Sequence, residues 1–176
     1  MFEISRVTFP SHSGSNGVTF VISYGYRHIV RKAVLERLGH RAVNLHIAYL
    51  PWNRGADPNF WSFVEGTPKG VTIHYMDEGI DTGDIIFQKE VTFTSGTETL
   101  ATTYEKLQLE IQELFKQHWR QIKAGECPRL KQHSYGSLHR MKDKEPLSHL
   151  LTDGFNTPVS SLESYSKNAD EEPSPS

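Results

Sequence analysis

The stretch Ala42-Val43-Asn44-Leu45-His46-Ile47, echoed further along by Gly70-Val71-Thr72-Ile73-His74-Tyr75-Met76, decides how this chain is read. Each is a short apolar run of the kind that forms a buried strand. Asn44 and His46 are two residues apart, so they share one face of their strand. Just past the second run, Asp77-Glu78-Gly79-Ile80-Asp81-Thr82-Gly83-Asp84 sets a carboxylate, Asp81, in a turn. An open α/β sheet places its binding site at strand ends. An amide, two imidazoles and a carboxylate gathered there can polarise a carbonyl, hold the resulting oxyanion and move a proton. A lone His46 is more often a satisfied core residue; Asn44 before it and Asp81 after it turn the reading toward catalysis.

Working outward, residues 1 to 17 are irregular, with Ser11-His12-Ser13-Gly14-Ser15-Asn16-Gly17 as loop chemistry. Val18 to Ser23 predicts a strand and His28 to Leu38 a helix, with Ile29, Ala33, Val34 and Leu38 at helical spacing and Gly39 to end it. Pro51 to Pro58 reads as a loop, and Pro58 suits the first turn of a helix reaching about Glu65. Asp84 to Phe93 predicts a further strand. Thr97 is the expected N-cap of a long helix ending near Lys123, before Gly125. Its predicted apolar stripe is Leu100, Tyr104, Leu107, Ile111, Leu114, Phe115, His118 and Ile122. A further helix is expected near Asp143 to Leu151.

The fold expected is α/β, a partial Rossmann-like sheet with flanking helices and one long C-terminal helix, then a small mixed extension. The divisions predicted are a catalytic domain over 1–125, an extension over 126–158 and a disordered polar tail over 159–176. The first clear strand starts at residue 18 with no strand-turn-helix before it, so an N-terminally short domain is expected.

The 176 residues carry a net charge of −2, which gives no basic excess to draw the chain onto nucleic acid. Cys127 is the single cysteine, so no internal disulfide forms and a reducing compartment fits. No apolar run approaches membrane-spanning length, and no signal segment opens the chain. The expectation is a cytoplasmic protein with neither membrane nor nucleic-acid partner.

Asn44-Leu45-His46-Ile47-Ala48-Tyr49-Leu50-Pro51 with Arg54-Gly55, followed by Thr72-x-His74 and Asp81 in Asp-Glu-Gly-Ile-Asp-Thr-Gly-Asp-Ile, resembles the two ordered elements of the folate-dependent formyltransferases. The likeness spans about Val18 to Phe93 and continues loosely into the long helix. The resemblance implies that Asn44, His46 and Asp81 are catalytic, with His74 as support. It implies that Tyr26, Arg27 and His28, with the backbone of Asp77, Glu78, Gly79 and Ile80, hold the pterin of N10-formyltetrahydrofolate. The wording from Leu50 to Trp61 is most similar to the branch acting on nucleotide-linked amino sugars in lipopolysaccharide biosynthesis. That branch implies Trp52, Arg54 and Asp57 as substrate-binding residues, with Trp52 for stacking and Arg54 for a diphosphate. A homodimer through the region after residue 126 is also expected.

Other readings stand beside this one. Asp77, Glu78, Asp81 and Asp84 as a calcium loop miss the D-x-[DN]-x-[DN]-G spacing. Zinc on His46, His74 and Asp81 has the right atom types but leaves Asn44 without a purpose, so no metal is expected. The functional alternatives are another branch of the family, acting on methionyl-tRNA or glycinamide ribonucleotide, and a truncated remnant that binds nucleotide sugar or folate without turnover.

Overall fold

The structure is a computed structural model describing residues 20–26, 28, 30–94, 96–133 and 135–171, with side chains for all of these except 40 and 166–171. Its elements run β1 (Val21–Tyr24), α1 (Lys32–Leu38), β2 (Ala42–His46), β3 (Arg54–Gly55), α2 (Pro58–Val64), β4 (Gly70–Tyr75), β5 (Ile85–Glu90), α3 (Leu100–Ala124), β6 (Leu138–His139) and α4 (Val159–Glu171). Tight 3-10 turns cover Gly39–Arg41, Met141–Leu150 and Gly154–Asn156. The α/β architecture is the one the sequence predicts.

The main sheet has the order β1-β2-β4-β5. β1 and β2 are parallel, whereas β4 is antiparallel to both β2 and β5. Across β2 and β4, Val43 faces Tyr75, Asn44 faces His74, Leu45 faces Ile73, and His46 faces Thr72. Directly paired residues project from the same side of a sheet, and side chains alternate sides along each strand. Val43, Leu45, Val71, Ile73 and Tyr75 therefore share one face. There they meet Leu107, Ile111, Leu114 and Ile122 of α3 in the main core. Asn44, His46, Thr72 and His74 occupy the opposite face.

Every residue of β4 is buried, so its polar side chains need partners inside the protein. Thr72 Oγ1 donates to Ala48 O at 2.7 Å and accepts from Leu50 N at 3.2 Å. This ties the segment after β2 back onto β4 and launches it toward the site.

Several element ends differ from expectation. The cap of α3 is Thr99, not Thr97: Thr99 accepts from Thr102 N and its own N–H donates to Thr102 Oγ1. Leu100 is buried and its N–H bonds Thr157 O at 3.1 Å, so tertiary packing fixes where the helix begins. Tyr104 leaves the predicted stripe, at 41% exposed; Thr103 takes the inward place, fully buried, by bonding the carbonyls of Thr99 and Leu100. α1 starts at Lys32 rather than His28, after an extended Arg31. Residues 18, 19 and 29, part of those predicted elements, lie outside the described residues.

Where a disordered tail is predicted from residue 159, α4 forms instead. Val159 and Leu162 are fully buried against Phe60, Trp61, Phe63 and Val64 of α2. A segment too polar to fold alone folds here because two apolar residues meet a large aromatic surface already in place. Among the described residues, no helix is long and apolar enough to cross a membrane.

Leu162→Ala is expected to cost about 2–5 kcal/mol of stability, measured by urea unfolding. A cost near zero would mean that α4 is not part of the folded unit.

Candidate active site

β2 and β4 hold the polar face rigidly, and the β4–β5 connection brings the carboxylate to it. That connection is a shaped turn. Asp77 Oδ1 accepts from Gly79 N at 3.1 Å and from Thr82 Oγ1 at 2.7 Å. Gly83 is required, because a Cβ there would lie 1.8 Å from Tyr75 O. Asp81 itself adopts φ +53°, a left-handed conformation unfavourable for a residue other than glycine.

The turn delivers Asp81 into the face formed by Asn44, His46 and His74. Asn44 Nδ2 donates to Asp81 Oδ1 at 3.0 Å, and Gly55 N donates to Oδ2 at 2.8 Å. His74 Nε2 lies 3.4 Å from Oδ1 and His46 Nδ1 lies 3.6 Å from Oδ2. Both histidines are almost fully buried. Burial opposes the charged form of Asp81. The positive charge available on His46 and the Gly55 N–H outweigh that cost and hold the carboxyl well below the usual range.

Backbone carbonyls fix the protons on the rings. His74 Nδ1 lies 2.8 Å from Tyr75 O and His46 Nε2 lies 3.0 Å from Asn53 O. A carbonyl only accepts, so both nitrogens carry hydrogen. Neutral His74 then presents a bare Nε2, which lies 3.2 Å from Asn44 Nδ2 and accepts from it. The Asn44 amide is thus held in one orientation, with one N–H on His74 and the other turned toward Asp81 Oδ1. His46 has its second nitrogen toward the carboxylate, an arrangement that suits an imidazolium. Together they offer two N–H donors and a fixed negative charge around one point.

The other predicted residues are more scattered. Tyr26 and His28 pack edge to face, 5.3 Å apart, in the turn after β1; Arg27 lies outside the described residues. Asp77 to Ile80 form the exposed rim of the Asp81 turn, where Glu78 pairs with Lys32 at 2.6 Å. Trp52 leans on Tyr135, with centroids 6.1 Å apart. Arg54 turns its guanidinium to Gln132 Oε1, at 3.1 and 2.9 Å. Asp57 precedes α2 and pairs with Lys144 at 3.3 Å. It opens onto a small cleft of about 100 Å³ walled by Ile47, Phe60, Tyr104, Lys144, Leu151 and Phe155.

Sequence reasoning missed Asn53, Gln132, Ser137 and Lys144. Asn53 is fully buried at φ +58° and supplies the carbonyl that seats His46; its place in Trp52-Asn53-Arg54-Gly55 was a readable turn signal. The others lie in a stretch without periodicity. Among the described residues, no group of three or more His, Cys, Asp or Glu is placed to hold a metal ion.

Residues 11–118 match the family described as formyl transferase. A methionyl-tRNA formyltransferase of Clostridioides difficile is 37% identical over 113 residues, covering 64% of this chain and 36% of that protein. A dTDP-4-amino-4,6-dideoxyglucose formyltransferase of Mycobacterium bovis is 35% identical over 130 residues, covering 74% of this chain and 54% of that one. The chain thus spans about a third to a half of the curated relatives it matches. The crystal structure of the formyltransferase PseJ from Anoxybacillus kamchatkensis, in complex with UDP-4,6-dideoxy-4-formamido-L-AltNAc and tetrahydrofolate, is similar with a TM-score of 0.84 and 51% identity, covering 90% of this chain and 84% of that one.

A carboxyl held low stabilises the fold fully above its ordinary value of 3.8, and that contribution is lost as pH falls toward the depressed folded value. Asp81→Asn is therefore expected to be less stable than wild type at neutral pH, with the gap narrowing below about pH 4. Urea unfolding across pH checks this; a gap independent of pH would contradict it.

Proposed function

The chain belongs to the formyl transferase family, and on that premise we propose that it moves a formyl group from N10-formyltetrahydrofolate to the amine of a nucleotide-linked amino sugar. The observation that carries the reading is the convergence of Asn44 and His46 from one strand and Asp81 from a turn onto one point. The sugar acceptor is favoured because the likeness to PseJ runs over 90% of the chain, whereas the methionyl-tRNA enzyme matches 64%. We place the reaction in the cytoplasm and its product in lipopolysaccharide assembly.

The amine lone pair attacks the formyl carbon, and the carbonyl electrons move onto oxygen. Asn44 donates the N–H that faces Asp81 to this oxyanion, while its other N–H stays on His74. A protonated His46 donates a second hydrogen bond. The attacking nitrogen releases a proton and N10 of the folate takes one up as the carbon–nitrogen bond breaks. Asp81, kept ionised, orients a water between the two nitrogens for that relay and balances the charge on His46.

The pterin is held by Tyr26, Arg27 and His28 with the Asp77–Ile80 backbone. The sugar nucleotide enters through the cleft beside Asp57, where Lys144 meets its phosphates and Trp52 stands at the rim. Lys144 is supported in that role by its place on the cleft wall, 5.1 Å above the Phe60 ring.

The test mixes the protein with N10-formyltetrahydrofolate and UDP- or dTDP-linked 4-amino sugars and follows tetrahydrofolate by absorbance. Wild type is expected to turn over, and Asn44→Ala or His46→Ala to lose about 100- to 1,000-fold in kcat while remaining folded. Binding of both substrates without turnover by wild type would leave only the remnant reading.

Lys144→Ala is expected to raise KM for the sugar nucleotide about tenfold, with kcat and the folate KM held. An unchanged KM would remove Lys144 from the acceptor site.

A further inference from the structure

Gln132 lies in the irregular stretch between α3 and β6, which is pinned to the sheet by a bridge between Leu130 and Ile85. Its side chain is fully matched. Nε2 donates to Asp81 O at 2.8 Å and to Gly83 O at 2.7 Å. Oε1 accepts from Arg54 Nε at 3.1 Å and Nη2 at 2.9 Å. Carbonyls only accept and a guanidinium only donates, so the amide has one possible orientation, with both donors and both lone pairs satisfied.

We propose that Gln132, locked by Arg54, is the positioning residue that holds the Asp81 turn in its working geometry. The proposal rests on the formyl-transfer reading for its catalytic consequence. Asp81 sits at φ +53°, a conformation that persists only where the surroundings over-determine it. Gln132 grips the backbone at Asp81 and again two residues on, while Gly55 N holds the carboxylate. Arg54 and Gly55 are the two residues of β3. One short strand therefore secures Asp81 from both ends, by its carboxylate and, through Gln132, by its main chain. The contacts to His46 and His74, at 3.6 and 3.4 Å, depend on where the turn sits to within tenths of an ångström. Arg54 thus acts inside the protein, through Gln132.

The charged and titratable groups around the turn are His46 from β2, His74 from β4, Arg54 from β3, and Arg129 and Lys131, which pair with Asp84 at 3.0 Å each. Changing Gln132 keeps all of these residues; Gln132→Met frees the Arg54 guanidinium, and Gln132→Glu adds one carboxylate beside it.

Gln132→Met keeps the length and removes all four hydrogen bonds. Gln132→Glu keeps an acceptor for Arg54 but sets a carboxylate against two carbonyls. Both are expected to lower kcat about tenfold or more, with KM for folate and sugar nucleotide within about twofold of wild type. In both, 13C NMR of the Asp81 carboxyl is expected to show a higher pKa than in wild type, because its partners draw away. Gln132→Asn, shorter but chemically alike, is expected to fall between these and wild type, and serves if Gln132→Met does not fold.

Wild-type kcat and Asp81 titration in Gln132→Glu would overturn the proposal, since the two carbonyl contacts would then carry nothing. A raised sugar-nucleotide KM with kcat and titration unchanged would overturn it in favour of a ligand contact. The NMR titration needs no turnover: if wild type transfers no formyl group, the functional reading falls and the carboxyl shift still decides the clasp.

Discussion

The antiparallel register of β2 against β4 is the constraint on which the rest depends. Asn44 opposite His74 and His46 opposite Thr72 put four polar groups on one face, and the intervening apolar residues on the other. The apolar face is sealed by α3, so a slip of one residue would bury the polar set in the main core and expose Val43, Leu45 and Ile73. Hydrophobic burial therefore does more than stabilise the sheet. It fixes the relative placement of the amide and the imidazoles, through strands that cannot slide without losing their core.

A buried polar face is stable only if each group has a partner. Main-chain carbonyls meet one nitrogen of each ring, from Tyr75 and from Asn53. Thr72 is consumed by the chain at Ala48 and Leu50. What remains unspent by the scaffold is directed at one spot, which Asp81 occupies from a left-handed turn. The carboxylate is tolerated there because Asn44, Gly55 and His46 compensate its desolvation. Stability and chemistry thus draw on the same few contacts.

Much of this was legible in the sequence, for a physical reason. Strand runs such as Val71-Thr72-Ile73-His74 and helix brackets such as Gly39 and Gly125 are local patterns, set by side-chain periodicity and backbone φ. The Asn44, His46 and Asp81 set stood out because it interrupts those patterns at fixed spacings. Long-range decisions were hidden. The start of α3 depends on Thr157, far along the chain. The order of α4 depends on the aromatic surface of α2. Gln132 sits in a stretch with no period, and its importance is set wholly by two carbonyls and a guanidinium that only folding brings to it. The same distance effect hid the engagement of Arg54: a loop arginine next to a glycine looks free until its neighbour from the C-terminal stretch is known.

The second sheet has a different character from the first. β3 and β6 pair over two residues, through Arg54 N to Ser137 O at 3.0 Å and Ala56 N to His139 O at 2.9 Å. So short a ladder carries little cooperative resistance to local unfolding compared with β4, which is hydrogen-bonded along both edges. Its amide protons are expected to exchange with solvent well before those of the central strand, although one of its residues, Gly55, holds the carboxylate.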